Sequence, residues 1–416
     1  MATEIWLENH SDSKNRILFG AEGEIPQENL VADEPLVVTK DEYLKLQLIS
    51  EKVVSLIDNF DFDGRGSASV IGADLWVLGR CRQIDSYGNS EMRYGGLDIY
   101  KGEDGSFKIL EVNPRVQAMG LQDLRQDILG IHDQPSLLGH LVDYLKGENY
   151  SRILILGSRK NPFWRAYERV VSKLSDSGME AVFCDAEAFV NKYNFGSFTP
   201  YIILRFCSNN IFTSKYPELE EIIRKEKIPV INPLISSYFG YRGFMRHLVN
   251  VEPQLFPGQI VLGTDVTEEQ IIKHPWIKLE AAGEAYVVKY TEIKRWAKDV
   301  LRSLIARDFG QASSLLLGKS GGDALRIKEI ADFLERVPAE QVVWLCQEDV
   351  SPITARLSVG NSKTDLKILL RVYWFKGFDD RIRISLEAFG CTSEQFGRSK
   401  GKINAGTGIS VPVVVE

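Results

Sequence analysis

The sequence predicts a mixed architecture, α/β in the middle and α+β on either side, and three stretches carry that reading. Between Ser151 and Asn232 short apolar runs alternate with helical patterns, as in a parallel sheet. Between Gly95 and Arg115 two apolar runs flank a Glu-Asp-Gly turn, the pattern of a β-hairpin. From Gly408 to Glu416 an apolar strand is interrupted by Pro412, which suits an edge or a bulge.

The elements follow in order. Leu44, Leu46, Ile49, Val53, Val54, Ile57 and Phe60 recur mostly at three- and four-residue steps, so residues 40–60 read as a helix, with Asp41 a candidate cap. In the hairpin, Asp98 lies on the first strand. Glu111 and Asn113 lie two apart on the second and so share a face. Leu97, Ile99, Leu110 and Val112 predict a buried opposite face. Residues 121–147 read as one helix or two. Strands follow at 152–157, 181–184, 201–205 and 228–232, with a helix after the first. The turn after Gly157 lacks GxGxxG, which argues against a dinucleotide site. Residues 286–289 and 303–307 read as short strands, and 308–314 as a Gly/Ser loop. A helix at 324–337, a buried strand at 341–350 and strands at 366–375 and 381–389 complete the pattern. The expected units are 1–148, 149–250 (the small parallel α/β unit), 251–345 and 346–416.

Composition narrows the function classes. A net charge of −7 and a pI near 5.5 give no support for nucleic acid or an anionic membrane as partner. No apolar run reaches the roughly 18 residues of a membrane span. The start has neither a basic region nor an apolar core of a secretion signal. Five cysteines without a CxxC pair read as reduced, buried thiols of a cytoplasmic protein. No Ser-His or Cys-His signature stands out. Asp98, Glu111 and Asn113 would form a hard oxygen cage suited to Mg²⁺ held together with phosphates. The alternative is an ordinary hairpin with a solvated acidic face.

An aspartate on one strand followed by Glu-x-Asn on the next resembles the ATP-grasp superfamily of carboxylate–amine ligases. The hairpin comes early and the chain ends on an apolar strand, an order similar to the circularly permuted members, the glutathionylspermidine synthetases and eukaryotic glutathione synthetases. The resemblance implies a permuted ATP-grasp fold with a small parallel α/β domain, and ATP with Mg²⁺ (or Mn²⁺) as cofactors. It implies Asp98, Glu111 and Asn113 as metal ligands. Either Arg307 or Lys289 would contact the phosphates, beside a loop containing Gly310, Ser313 and Ser314. Gln347, Glu348 and Val350 would form the adenine and ribose hinge, and Arg242 a further phosphate contact. Arg371 would face the phosphate or acyl phosphate and so act in catalysis with Arg307, while Arg115 and Asn404 would meet substrate. For the loop a plain surface turn stays open, for Arg371 a structural ion pair, for Arg115 a salt bridge and for Asn404 a tight turn.

The implied reaction joins a small-molecule acid to an amine through an acyl phosphate, giving the amide of an amino acid or small peptide with ADP and phosphate. Two other functions stay open: a non-catalytic ATP-binding module, and kinase-type transfer to a hydroxyl or enolate. A homodimer is also open. Asp98→Asn is expected to abolish ADP release and leave the fold intact.

Overall fold

The computed structural model describes residues 16–19, 27–30, 32–62, 75–86, 90–114, 119–129, 136–159, 166–185, 199–207, 217–262, 266–281, 284–339, 342–360, 362–393 and 409–416. In chain order these form β1 (Arg16–Phe19), β2 (Gln27–Leu30), β3 (Leu36–Val38), α1 (Lys40–Asp58), α2 (Leu75–Asp85), β4 (Tyr94–Lys101), β5 (Phe107–Asn113), α3 (Met119–Leu129) and α4 (Leu137–Gly147). Next come β6 (Arg152–Gly157), α5 (Ala166–Asp176), β7 (Glu180–Asp185), β8 (Ile202–Arg205), α6 (Pro217–Glu226), β9 (Val230–Ile231) and α7 (Arg242–Val251). The rest is β10 (Gln259–Val261), α8 (Glu268–Lys273), β11 (Trp276–Ala281), β12 (Glu284–Lys289), α9 (Arg295–Ile305), α10 (Phe309–Leu316), α11 (Gly322–Arg336), β13 (Val343–Gln347), β14 (Thr354–Val359), β15 (Ser362–Lys376), β16 (Ile382–Thr392), β17 (Ile409–Val411) and β18 (Val413–Val415).

Three sheets organise the chain. The largest is antiparallel in the order β17-β16-β15-β4-β5, with β14 also on β15, so the early hairpin is completed by strands from the last 65 or so residues. A parallel sheet runs β7-β6-β8-β9. A smaller antiparallel sheet runs β10-β13-β11-β12. This is a mixed α/β fold of several sheets. Pro412 separates β17 from β18, which pairs in parallel with β3 and buries Val413.

Alternation sets the two faces of the large sheet. Ile368, Leu370, Val372 and Trp374 of β15 and Ile384 and Leu386 of β16 enter one core with Leu46, Val53, Val54 and Ile57 of α1. The cap of α1 is Thr39 rather than Asp41: its hydroxyl accepts from Glu42 N–H while the Glu42 carboxylate accepts from Thr39 N–H, a capping box. On the opposite face Tyr373 and Phe375 pack with Leu138, Leu141 and Leu145 of α4. Further along that face lie the charged Arg371 and Glu387 and then a small apolar patch with Leu369 and Phe389.

Two expected elements are corrected. Residues 303–305 end helix α9 rather than forming a strand, and 309–314 lie in helix α10 rather than in a Gly/Ser loop. Ala297, Val300, Leu301 and Leu304 are buried at helical spacing, and Asp308 caps α10 by accepting from Gln311 N–H at 2.9 Å. The short run Ser303-Leu-Ile-Ala306 was too brief for its period to be told by itself. β9 is also shorter than expected, two residues in place of five. Among the described residues no helix is long and apolar enough to cross a membrane. All five cysteines are buried and none forms a disulfide.

Two stability predictions arise here. A Cβ at Gly120 of α3 would overlap the carbonyl oxygen of Ala166 in α5, so Gly120→Ala is expected to cost on the order of 2–3 kcal/mol in denaturant unfolding. His140 of α4 is buried against Phe375, and burial, with Arg383 nearby, lowers its pKa to about 4. The unfolded chain therefore binds a proton between about pH 6.5 and 4 that the native state refuses. The stability His140 contributes above that window is lost as pH falls through it. By contrast desolvation raises the pKa of Asp85, which is half-buried, to about 6, and its ionisation costs stability as pH rises through the same range. Comparison with His140→Phe isolates the first effect: the stability difference between wild type and variant should change by about 3 kcal/mol from pH 7 to 4.

Candidate functional site

The charged face of the large sheet holds one registered row. Across the strands, Glu387 of β16 stands opposite Arg371 of β15, Arg371 opposite Asp98 of β4, and Asp98 opposite Glu111 of β5. A β-bulge between Asp98 and Ile99 shifts the register, so Leu110 has no partner residue and Glu111 meets Asp98. One step along, Asn113 stands opposite Gly96 on the same face. Asp98, Glu111, Asn113 and Arg371 are thus brought together by two early strands, β4 and β5, and one late strand, β15.

Arg371 is bound bidentately by Asp98, with Nε to Oδ1 at 2.7 Å and Nη2 to Oδ2 at 2.8 Å. Burial opposes its charge, but Asp98, with Tyr373 and Glu387 nearby, outweighs it and holds the guanidinium pKa well above its usual value. Glu387 is fixed in turn by the Tyr373 hydroxyl, which donates to Oε2 at 2.6 Å. Each Asp98 oxygen spends one lone pair on Arg371 and keeps another. Nδ2 of Asn113 is enclosed without a hydrogen-bond partner in the described structure. Two carboxylates and the Asn113 amide oxygen suit a cation shared with phosphates, because Mg²⁺ in such sites takes one or two carboxylates, while the unpaired amide N–H group is a donor that suits a phosphate oxygen. Among the described residues no three carboxylate, imidazole or thiol groups gather to form an all-protein metal cage.

Beside the row lies an apolar patch of Tyr100, Leu369, Phe389 and Cys391, with Leu110 and Val350 packed on it. Val350 lies three residues beyond the end of β13, so the connection from the small sheet rests against this face. Ile353 N–H donates to Lys101 O at 2.9 Å and pins the connection there. On the small sheet, Ile277, Leu279, Val288 and Cys346 face helices α9 and α11. The alternate residues Trp276, Lys278 and Gln347 turn the other way. Lys278, 9% exposed, donates to the side-chain oxygen of Gln347. Trp276 Nε1 donates to Asp349 at 2.9 Å, and Lys289 pairs with Asp349 at 3.3 Å and Glu292 at 3.2 Å. Burial opposes the charge on Lys289, but these carboxylates more than offset it and raise its pKa. Glu348 and Gly258 exchange two hydrogen bonds, N–H to O at 2.8 Å and N–H to carboxylate at 3.0 Å, which join β13 to the segment before β10.

Arg307, Gly310, Ser313 and Ser314 part company with this cluster. Arg307 ends α9 in the left-handed region, with φ of 57°, and its Nη2 donates to Leu334 O and Val337 O at 2.7 Å each. It fastens the end of one helix to the end of another. Gly310, Ser313 and Ser314 lie within α10, where the N–H groups beyond the first turn serve the helix, so the expected anion-cradling loop is not formed. Arg242 opens α7, and Arg115 and Asn404 lie outside the described residues. Lys278 escaped the sequence reading, although a lysine alternating with the apolar Ile277 and Leu279 is the available signal.

No family model matches the chain, and no curated protein matches it. Among solved structures it is similar to that of a candidate gamma-glutamylcysteine synthetase from Methylobacillus flagellatus KT. The two share 11% identity at a TM-score of 0.44, over 90% of this chain and 89% of that one. A likeness at that level assigns no activity.

Proposed function

We propose that the chain is an ATP- and Mg²⁺-dependent ligase that joins a carboxylate to an amine, with an acid of the amino acid or small peptide class. The observation that carries the reading is the row Arg371–Asp98–Glu111 with Asn113 on one sheet face, against which the connection from the lysine-bearing small sheet packs. Asp98, Glu111 and Asn113 would hold Mg²⁺, which would supply positive charge to neutralise nucleotide phosphates. The apolar patch under Val350 offers a floor for the adenine, beside the Gln347–Glu348 backbone. Lys278 supplies a positive charge for the phosphates from the small sheet, in the place first considered for Arg307 or Lys289.

Arg371 is the catalytic candidate. Asp98 fixes it through Nε and Nη2, and Nη1 makes no hydrogen bond in the described structure and can meet an oxygen of the phosphoryl group in transit. The γ-phosphoryl passes to a substrate carboxylate oxygen and ADP leaves. The amine then attacks the acyl carbon, phosphate leaves with the C–O electron pair, and the amine loses a proton. The chain contributes orientation and fixed charge, and no covalent enzyme intermediate is required. Transfer to a hydroxyl or enolate would give a phosphorylated product, and a non-catalytic module would give none.

The test is ADP release with a panel of carboxylates and amines, with products identified by mass. Amide formation with stoichiometric ADP is expected. Firm Mg·ATP binding with no turnover across the panel, or a stable phosphorylated product, would overturn the ligase reading.

A further inference from the structure

We infer that Asn232 is a positioning residue for the metal pole: its side chain acts as an extra rung that closes the open end of the β4–β5 hairpin and sets the place of Asn113. The inference rests on the metal reading above and assigns a role to a residue of the parallel sheet. A hairpin is held at its turn, here residues 102–106, and frays at its far end. The last registered pair at that far end is Gly96 with Asn113. The next residue, Pro114, has no N–H to donate, so the ladder cannot continue by backbone alone.

Asn232 fills that gap from outside the sheet. It follows β9, is fully buried, and adopts φ of 56°, a left-handed conformation that asparagine tolerates better than most residues. Its Oδ1 accepts from Arg93 N–H at 3.1 Å and Tyr94 N–H at 3.3 Å. Its Nδ2 donates to Tyr94 O at 2.8 Å and Pro114 O at 2.7 Å. One amide thus ties both strands of the hairpin, next to the residue that bears the third metal-facing side chain.

Asn232 is itself anchored. Its N–H donates to Glu91 O at 2.9 Å, and its carbonyl accepts from Nε of the fully buried Arg205 at 2.8 Å. Arg205 also donates to Pro233 O and Cys207 O. The arrangement couples the carboxyl end of the parallel sheet to the spacing between Asn113 and Asp98.

Asn232→Gly deletes the amide and keeps the backbone conformation unstrained. The readout is Mn²⁺ affinity by electron paramagnetic resonance in the presence of a non-hydrolysable ATP analogue, with Glu111→Gln and Gly120→Ala alongside. Mn²⁺ affinity should weaken at least tenfold in Asn232→Gly, with affinity for the metal-free analogue within twofold of wild type. Gly120→Ala, destabilised at the contact of α3 with α5 and leaving the Asn232 bonds untouched, should bind Mn²⁺ as wild type does. Should Asn232→Gly not fold, Asn232→Asp, which keeps the acceptor and loses both donors, is judged by the same measure. Mn²⁺ affinity within twofold of wild type, while Glu111→Gln weakens it, overturns the role of Asn232. If Glu111→Gln leaves Mn²⁺ binding unchanged, the metal reading falls and takes this role with it.

Discussion

Glu111→Gln is expected to release ADP on the order of 10²–10³ times more slowly than wild type, the cost typical of removing one preorganised electrostatic group. It should also need a higher Mg²⁺ concentration for half-maximal rate. The side chain is half-buried and the amide is isosteric, so the unfolding midpoint should move little. Asp98→Asn is a less discriminating variant than the sequence implied. Asp98 is 7% exposed and holds the buried Arg371 guanidinium through both oxygens. Removing its charge leaves that cation uncompensated, at a cost of about 3–5 kcal/mol. Loss of turnover in Asp98→Asn would mix a chemical effect with a folding one, so the expectation of an intact fold no longer holds. Wild-type ADP release by a folded Glu111→Gln would refute the metal assignment.

Lys278→Met is expected to raise KM for ATP about 10- to 100-fold, since a hydrogen bond to a charged group contributes roughly 1.5–3 kcal/mol. The variant removes an ammonium from a 9%-exposed position at nearly constant volume, so stability should hold or rise. Two companions sharpen the test. Lys289→Met should change KM only a few-fold, because that lysine is already paired with Asp349 and Glu292. Arg307→Gln should lower the unfolding midpoint through its lost carbonyl contacts and leave KM near wild type. A KM shift in Arg307→Gln larger than that in Lys278→Met would reverse the placement of the phosphate contacts.

What the sequence disclosed follows the range of the forces involved. The hairpin was legible because alternation and a turn are local, and Glu111 and Asn113 share a face by period alone. The parallel sheet was legible because apolar runs alternate with helices over short intervals. The partner of Asp98 was not legible: Arg371 lies 273 residues away, and only strand register brings the two side chains together. Arg307 misled because a basic residue before Gly and Ser looks like a phosphate loop, whereas the burial of Ala297, Val300, Leu301 and Leu304 made a helix there. Lys278 was passed over since its partner Gln347 is 69 residues on. Asn232 was read as the end of the expected strand at 228–232, and its two-sided bonding to the hairpin depends on packing between distant elements.

The pairing of β4 with β15 has a consequence for biosynthesis. At 5–20 residues per second, a ribosome that has made Asp98 needs roughly 15–55 s to reach Arg371. Throughout that interval β4 has an unpaired edge, a template for association with other nascent chains. Stalled or truncated products ending before β15 should therefore be the species that chaperones capture and proteases clear.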